Sequence, residues 1–178
     1  MNFMKRTLGI LFFLTAISTV SFCQDKTEGL KISYPDSHTW KVGSDQENDS
    51  QHLVELVPAE QSIDNWTIMV TMQTLKGTVN VPVASVPAAM MGQAQKTAPD
   101  AKLTIFEKDE KAKTPWILFK IESPSFINDP QPESQLYYVI QGQTALFINF
   151  VAVKQRGLAD GFSSEWKLVF KSSELVYE

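Results

Sequence analysis

The residue types that most often carry enzyme chemistry are scarce in this 178-residue sequence, and their spacing is not that of known catalytic motifs. There are two histidines, His38 and His52, and one cysteine, Cys23. Nucleophilic catalysis needs a serine, threonine or cysteine activated by a base, which a third group orients. The sequence has no Gly-x-Ser-x-Gly motif, and neither histidine has a partner at motif spacing. We therefore interpret both histidines as surface residues and expect no catalytic triad.

Three carboxylates at alternate positions, Asp45, Glu47 and Asp49, are the candidate metal ligands. They lie in the polar segment 43–51, which we expect to be a loop, and oxygen ligands of this kind suit calcium. The segment departs from an EF-hand, because no glycine stands at the sixth position and Leu56 replaces the glutamate of the twelfth. A solvated acidic loop is the favoured interpretation, and a calcium site is the alternative. Two histidines without a cysteine pair do not predict zinc.

Nucleotides and nucleic acids are disfavoured as ligands. The 8 glycines form no phosphate-binding motif, and a formal net charge of −4 with no basic stripe argues against a nucleic-acid partner. No cofactor is expected. Glycosidase chemistry needs two facing carboxylates, and the pattern of 20 acidic residues singles out no pair. A hydrolase whose carboxylates assemble only in the folded protein is the alternative function.

Residues 1–23 have the features of an export signal. Lys5 and Arg6 precede an apolar stretch, 8–16, and small residues occupy the cleavage region that ends at Cys23. The stretch is shorter than the ~20 residues needed to span a bilayer. Cleavage after Cys23 would leave residues 24–178 as one periplasmic or secreted domain, whereas cleavage before it would produce a lipid anchor. The preceding phenylalanine favours the first outcome.

The elements that would position any site are predicted to be mostly strands. Apolar and polar residues alternate on both sides of the turn Pro35-Asp36-Ser37, which predicts two short strands within 30–42. Further strands are predicted by alternation and by β-branched and aromatic residues in the segments 52–57, 66–72, 103–107, 116–122, 136–141 and 144–154. The last two flank Gly142 as a hairpin. Because segment 144–154 is apolar on both faces, we expect it at the centre of the sheet.

Two helices are predicted to cover this sheet. Ser85 precedes Val86-Pro87 as a candidate N-cap, and apolar residues at helical spacing follow until Pro99: Ala88, Met91, Ala94 and Ala98. A second helix begins near Asp160 as N-cap and carries one apolar face: Phe162, Trp166, Val169 and Phe170. The predicted fold is α+β: a single domain with an antiparallel β-sheet of six or seven strands covered by helices.

Two further features are possible places for a ligand. Aromatic and methionine side chains could line an apolar cleft, although their positions favour core packing: Trp40, Trp66, Trp116, Trp166, Tyr137, Tyr138, Met69, Met72, Met90 and Met91. The segment 123–134 contains three prolines and must be a loop between strands. Long loops often carry binding sites, so this loop and the acidic segment are the first places where we would expect one, although a plain surface excursion is the favoured interpretation of this loop.

Three segments together resemble the PsbP-like superfamily: Ile32-Ser33-Tyr34-Pro35, Trp40-Lys41-Val42 and Tyr137-Tyr138-Val139-Ile140, the last before an amphipathic C-terminal helix. The similarity spans nearly all of residues 24–178. The superfamily includes bacterial envelope proteins of the DcrB type. It implies an α/β/α sandwich and a binding or accessory role, not an enzyme, and it implies no functional residue. We therefore expect an exported, non-catalytic domain that contacts another envelope component or a small apolar ligand.

Overall fold

The computed structural model describes residues 27–178. The predicted signal peptide, residues 1–23, and Cys23 therefore lie outside the described residues. Apart from a 3-10 turn at Val83–Ser85, the described elements follow in chain order: β1 Glu28–Lys31, β2 Trp40–Glu47, β3 Gln51–Pro58, β4 Ile68–Lys76, α1 Val86–Ala94, β5 Lys102–Asp109, β6 Trp116–Ser123, β7 Glu133–Gln141, β8 Ala145–Val153, α2 Asp160–Lys171 and β9 Glu174–Tyr177.

Seven of the strands form one antiparallel sheet in the order β2-β3-β4-β8-β7-β6-β5. β8 occupies the middle, and all its residues except Phe150 are buried. A strand with two apolar faces needs cover on both sides, which confirms the central position predicted for it. The hairpin of β7 and β8 around Gly142 is confirmed as well.

A helix packs against each face of this sheet. On one face, Phe147 and Val151 pack in a cluster with Trp166 and Phe170 of α2. On the other face, the alternate residues of the same strands form a second cluster, with side chains from the 3-10 turn and α1. The predicted α+β class, an antiparallel sheet covered by helices, is therefore confirmed.

The acidic segment expected to be a loop is mostly strand. β2 continues to Glu47, and only residues 48–50 connect it to β3. Asn48 Oδ1 accepts hydrogen bonds from the backbone N–H groups of Ser50 and Gln51, both at 2.9 Å, which closes the hairpin tightly. The segment is polar because β2 is an edge strand, and edge strands carry charges that prevent pairing with other chains.

Both predicted helix caps differ in detail. The Ser85 hydroxyl donates to the Pro82 carbonyl, at 2.7 Å, and does not accept from the helix. The helix ends at Ala94, several residues before Pro99. Asp160 is the first residue of α2, and Ala159 occupies the N-cap position. The helices were recognised from side-chain periodicity, which fixes helix ends less sharply than helix interiors.

A small second sheet was not predicted, although a strand close to β1 was. β1 pairs with β9, antiparallel, with Glu28 opposite Tyr177 and Leu30 opposite Leu175. β9 has only four residues and directly follows α2, so its pattern is too short to separate from the helix end. We call this pair the β1–β9 ribbon.

Candidate ligand-binding cleft

A cleft of about 720 Å³ lies between the β1–β9 ribbon and one face of the main sheet. Its apolar lining side chains are those of Leu30, Val54, Met72, Ala145 and Phe147. Leu30 belongs to β1, and the other four belong to β3, β4 and β8. The cleft therefore has an apolar floor on rigid strands and a wall formed by the ribbon.

The cleft exists because α2 is too small to cover its face of the sheet. Seven strands about 4.8 Å apart span about 29 Å. The 12 residues of α2 extend about 18 Å in a helix about 10 Å wide. Trp166 of α2 packs on Tyr34 and Trp40, with ring centroids 6.4 and 6.0 Å apart. The ribbon covers part of the sheet face that α2 leaves exposed, and the cleft lies beneath the ribbon.

Tyr34 links this aromatic cluster to the cleft. Its hydroxyl donates to the sulfur of Met72, at 2.7 Å, and Met72 lines the cleft. Burial raises the pKa of Tyr34 well above its ordinary value, so the phenol stays protonated and keeps this donor role at neutral pH. The contact holds Met72 in place at the inner end of the cleft floor.

The ionisable side chains at the open end of the cleft are paired with other protein groups. Lys76 Nζ lies 2.6 Å from Glu47 Oε1, and this hydrogen bond lowers the pKa of the Glu47 carboxyl. His52 Nε2 lies 2.8 Å from Asp45 Oδ1. Glu47, His52 and Lys76 line the cleft, and they belong to three neighbouring strands. We call these three residues the rim.

Glu28 fastens the ribbon to the β7–β8 hairpin. Its carboxylate accepts hydrogen bonds from the backbone N–H groups of Gln143 and Thr144, at 2.9 and 2.8 Å, and from the hydroxyls of Thr144 and Tyr177, at 3.1 and 3.0 Å. Burial by itself raises the pKa of the Glu28 carboxyl, but these hydrogen bonds outweigh burial and hold the pKa below its ordinary value. The ribbon wall of the cleft is therefore anchored by an ionised carboxylate.

Asn149 is the polar residue at the inner end of the cleft. It lies in the middle of β8, with Met72 and Tyr138 opposite it on the neighbouring strands. Its side chain is 2% exposed and lines the cleft. Within the described part of the chain, Nδ2 is buried without a hydrogen-bond partner. Buried amides are normally paired, so the unpaired Nδ2 makes Asn149 an unusual residue for the centre of a sheet.

The candidate metal ligands are not brought together. Asp45 pairs with His52, Glu47 pairs with Lys76, and Asp49 lies in the hairpin turn. Among residues 27–178, no group of three or more His, Cys, Asp or Glu side chains is placed to hold a metal ion. The acidic hairpin does contribute Glu47 to the cleft rim.

The proline-rich loop 123–134 lies away from the cleft. The backbone N–H of Ile127 donates to the carbonyl of Thr97, at 2.8 Å, and Phe126 packs in the cluster on the opposite face of the sheet. No residue of this loop lines the cleft. His38 packs edge-on against Trp40, with ring centroids 5.3 Å apart.

The methionines and aromatic residues divide between the two faces. Met72 lines the cleft, while Met90 and Met91 pack in the cluster on the opposite face. Trp166 is 2% exposed and lies in the core, as expected for an aromatic residue on the apolar face of a helix.

Asn149 and Glu28 are among the cleft residues that the sequence analysis did not single out. Asn149 carries a signal that could have found it, because it is the only polar residue in the nine-residue strand Ala145–Val153. A single amide in a strand buried on both faces needs a partner. Glu28 carries no such signal, since its partners lie 115 or more positions later in the chain.

No protein-family model matches this sequence, and no curated protein matches it either. Among the helices of residues 27–178, none has both the length and the apolar character that crossing a membrane requires.

Proposed function

We propose that this protein is an exported, non-catalytic binding domain that holds a small, mostly apolar ligand in the cleft beneath the β1–β9 ribbon. The cleft itself is the observation that carries this proposal. Ligand sites in proteins are usually concave, about 300–1,000 Å³ in volume, mainly apolar, and supplied with a few polar groups that orient the ligand. A volume of about 720 Å³, an apolar floor and a few polar lining residues, Thr74 and Asn149 among them, agree with that description.

A small ligand is favoured over an envelope protein as the occupant. The cleft floor lies on β3, β4 and β8, in the interior of the sheet and beneath the ribbon, where a folded partner would have poor access. The rim residues also have partners within the chain, Lys76 with Glu47 and His52 with Asp45. The Lys76–Glu47 ion pair is neutral overall and offers little to a charged partner surface.

The proposal gives His52 no catalytic role. Its Nε2 is held by Asp45, and among the described residues no serine or threonine hydroxyl hydrogen-bonds to the ring. A general base must reach the proton that it removes from a nucleophile, and this histidine has no such contact. The pair is instead part of the rim.

Export is the second part of the proposal and rests on the signal predicted in residues 1–23. Intact mass spectrometry of the protein from its native source tests it. A mass that begins at Gln24 is expected for a free periplasmic or secreted protein. An acyl adduct on Cys23 would instead establish a lipid anchor, and retention of residues 1–23 would contradict export through this signal.

Membership of the PsbP-like superfamily is the third part. An antiparallel sheet with α2 on one face and α1 on the other supports it. Members of that superfamily are mostly binding or accessory proteins, which agrees with the role proposed for the cleft.

A neutral fluorescent probe tests ligand binding directly. N-phenyl-1-naphthylamine is expected to bind the full chain at one site. Its fluorescence, excited directly, should increase on binding. Thr74 lies half-buried on β4 and lines the cleft, so Thr74→Trp should fill the space and abolish binding. Thr104→Trp is the matched control, because Thr104 is exposed on the far edge strand β5. Absence of probe binding, or equal binding by both variants, would refute the proposal.

A further inference from the structure

We infer that the β1–β9 ribbon is a gate over the cleft: it is hinged at the end that joins α2, and Glu28 holds its other end closed on the turn of the β7–β8 hairpin. This inference rests on the proposed function and adds how ligand exchange at the same site is controlled. It depends on three observations: where the ribbon is built into the domain, what holds its other end, and where that end lies relative to the mouth of the cleft.

One end of the ribbon is built into the domain. At this end Lys31 lies opposite Glu174. Ile32, the next residue after β1, packs against the core cluster that contains the α2 side chains, and β9 directly follows α2. The neighbouring pair, Leu30 and Leu175, packs against the same cluster. We call this the hinge end of the ribbon, because both chain connections and the apolar packing fix it in place.

Glu28 holds the other end of the ribbon. Here Glu28 lies opposite Tyr177, which is 41% exposed, and the adjacent Gly29 has no side chain to pack. Among the described residues, every hydrogen bond between the ribbon and the main sheet ends on the Glu28 carboxylate. Two come from the backbone N–H groups of Gln143 and Thr144, and one comes from the Thr144 hydroxyl. We call this set of contacts the latch, because a single carboxylate keeps this end of the ribbon on the sheet.

The turn that receives Glu28 is held rigidly by other contacts. Gln141 is 7% exposed, and its Nε2 donates to the carbonyls of Gly142 and Ala145, at 2.9 and 3.1 Å. The backbone N–H of Gly77 donates to the carbonyl of Thr144, at 2.9 Å. A satisfied polar network of this kind makes a turn rigid. Opening of the latch therefore requires the ribbon to move, while the turn stays in place.

The latch lies at the mouth of the cleft. Lys76 of the rim is opposite Ala145 in the sheet, and Ala145 directly follows Thr144. Glu28, Lys76 and Thr144 all line the cleft. A ligand that enters past the rim therefore passes the latch, and outward movement of this end of the ribbon would widen the mouth. Segments with few contacts to the core can open locally while the rest of a domain stays folded, and such movements control ligand exchange in many proteins.

Stopped-flow fluorescence with N-phenyl-1-naphthylamine tests the gate. The association and dissociation rate constants of the probe are measured at pH 7 for the wild-type full chain and for Glu28→Gln. In the variant an NH₂ group faces one of the two backbone N–H groups of the turn, so the latch opens more often. Both rate constants are expected to rise about ten- to hundredfold, as for loss of a hydrogen bond to a charged acceptor. Because entry and exit use the same opening, Kd should change far less than either rate constant.

Glu174→Gln is the control variant. It removes the same charge from the same ribbon, but Glu174 is exposed at the hinge end and does not line the cleft. Both rate constants should therefore stay at their wild-type values. Equal acceleration in the two variants would overturn the latch. Faster dissociation alone in Glu28→Gln would also overturn it, because that result would mean that Glu28 only contacts the bound ligand.

A second measurement does not depend on any variant folding. In the wild-type protein, backbone amide hydrogen exchange should be faster in β1 and β9 than in β7 and β8, and bound probe should slow exchange in the ribbon. A ribbon that exchanges as slowly as the central strands would overturn the gate. If the probe binds but neither rate constant responds to Glu28→Gln, the gate is wrong and the binding function stands. If the probe does not bind at all, the binding function fails and this inference fails with it.

Discussion

Replacement of Glu28 by glutamine should destabilise the protein far more than a surface substitution. Glutamine keeps the shape of the side chain, but one carboxylate oxygen becomes an NH₂ group, which cannot accept a hydrogen bond. Whichever way the amide turns, this group faces the backbone N–H of either Gln143 or Thr144. One partly buried donor then loses its acceptor.

The magnitude follows from the hydrogen bonds that are lost or weakened. A donor left unsatisfied costs about 1–3 kcal/mol, and the remaining bonds lose the extra strength that a charged acceptor gives, about 1 kcal/mol in total. We therefore expect Glu28→Gln to lower the free energy of unfolding by about 2–4 kcal/mol at pH 7. Domains of this size are stable by only about 5–15 kcal/mol, so the effect is a large fraction of the total.

The effect should depend on pH in a defined direction. The pKa of Glu28 is lower in the folded protein than its ordinary value of 4.5. Ionised Glu28 therefore contributes stability that is fully present above the unfolded-state pKa and is lost as the pH falls through the folded-state pKa. Protonated glutamic acid resembles glutamine, so the stability difference between wild type and Glu28→Gln should narrow below about pH 4.5.

Urea unfolding, measured from pH 7 to pH 3, provides the assay. Glu174→Gln is the control, because Glu174 is exposed on β9 of the same ribbon, and surface substitutions usually change stability by less than about 0.5 kcal/mol. The reasoning would be refuted if Glu28→Gln fell within that range at pH 7, or if its difference from wild type did not change between pH 7 and pH 3.

Three further predictions concern packing and ions. Gly142→Ala would place a Cβ 2.7 Å from Glu28 Cδ and should lower the free energy of unfolding by about 1–3 kcal/mol. Urea unfolding should show that Gly142→Ala lowers the stability much less in a Glu28→Ala background. Gly161→Ala should have little or no effect on stability, because its Cβ meets nothing within 4 Å. Trp166→Ala should cost about 3–5 kcal/mol and weaken the near-UV circular dichroism, whereas Leu168→Ala, at a 72% exposed position, should do neither. Millimolar calcium should leave the calorimetric midpoint unchanged, because Asp45 and Glu47 of β2 already pair with His52 and Lys76; an upward shift of the midpoint would support the calcium hypothesis.

The strands were predictable because side-chain alternation reports which face of a segment is buried. The run Ala145–Val153 is apolar at both parities, which placed it at the sheet centre before any pairing was known. The α2 face was predictable for the same reason, since Trp166 and Phe170 are four positions apart. The 43–51 segment was misassigned because an exposed edge strand has the polar composition of a loop.

The cleft was not predictable, because it depends on how much of the sheet its covering elements reach. Periodicity shows that one face needs cover, but it does not show that α2 leaves part of that face to a ribbon of two four-residue strands. Asp45 and His52 are seven positions apart and meet only because β2 and β3 form a tight hairpin.

The sequence by itself determined an α+β domain built on antiparallel strands, because local backbone geometry and burial leave a periodic mark on neighbouring residues. Tertiary structure alone decided where a ligand could bind. Glu28 contacts Thr144 across 116 positions and Tyr177 across 149, and Asn149 faces a cleft only because β1 pairs with β9. Such contacts depend on chain topology, and topology leaves no periodic pattern in the residues that it brings together.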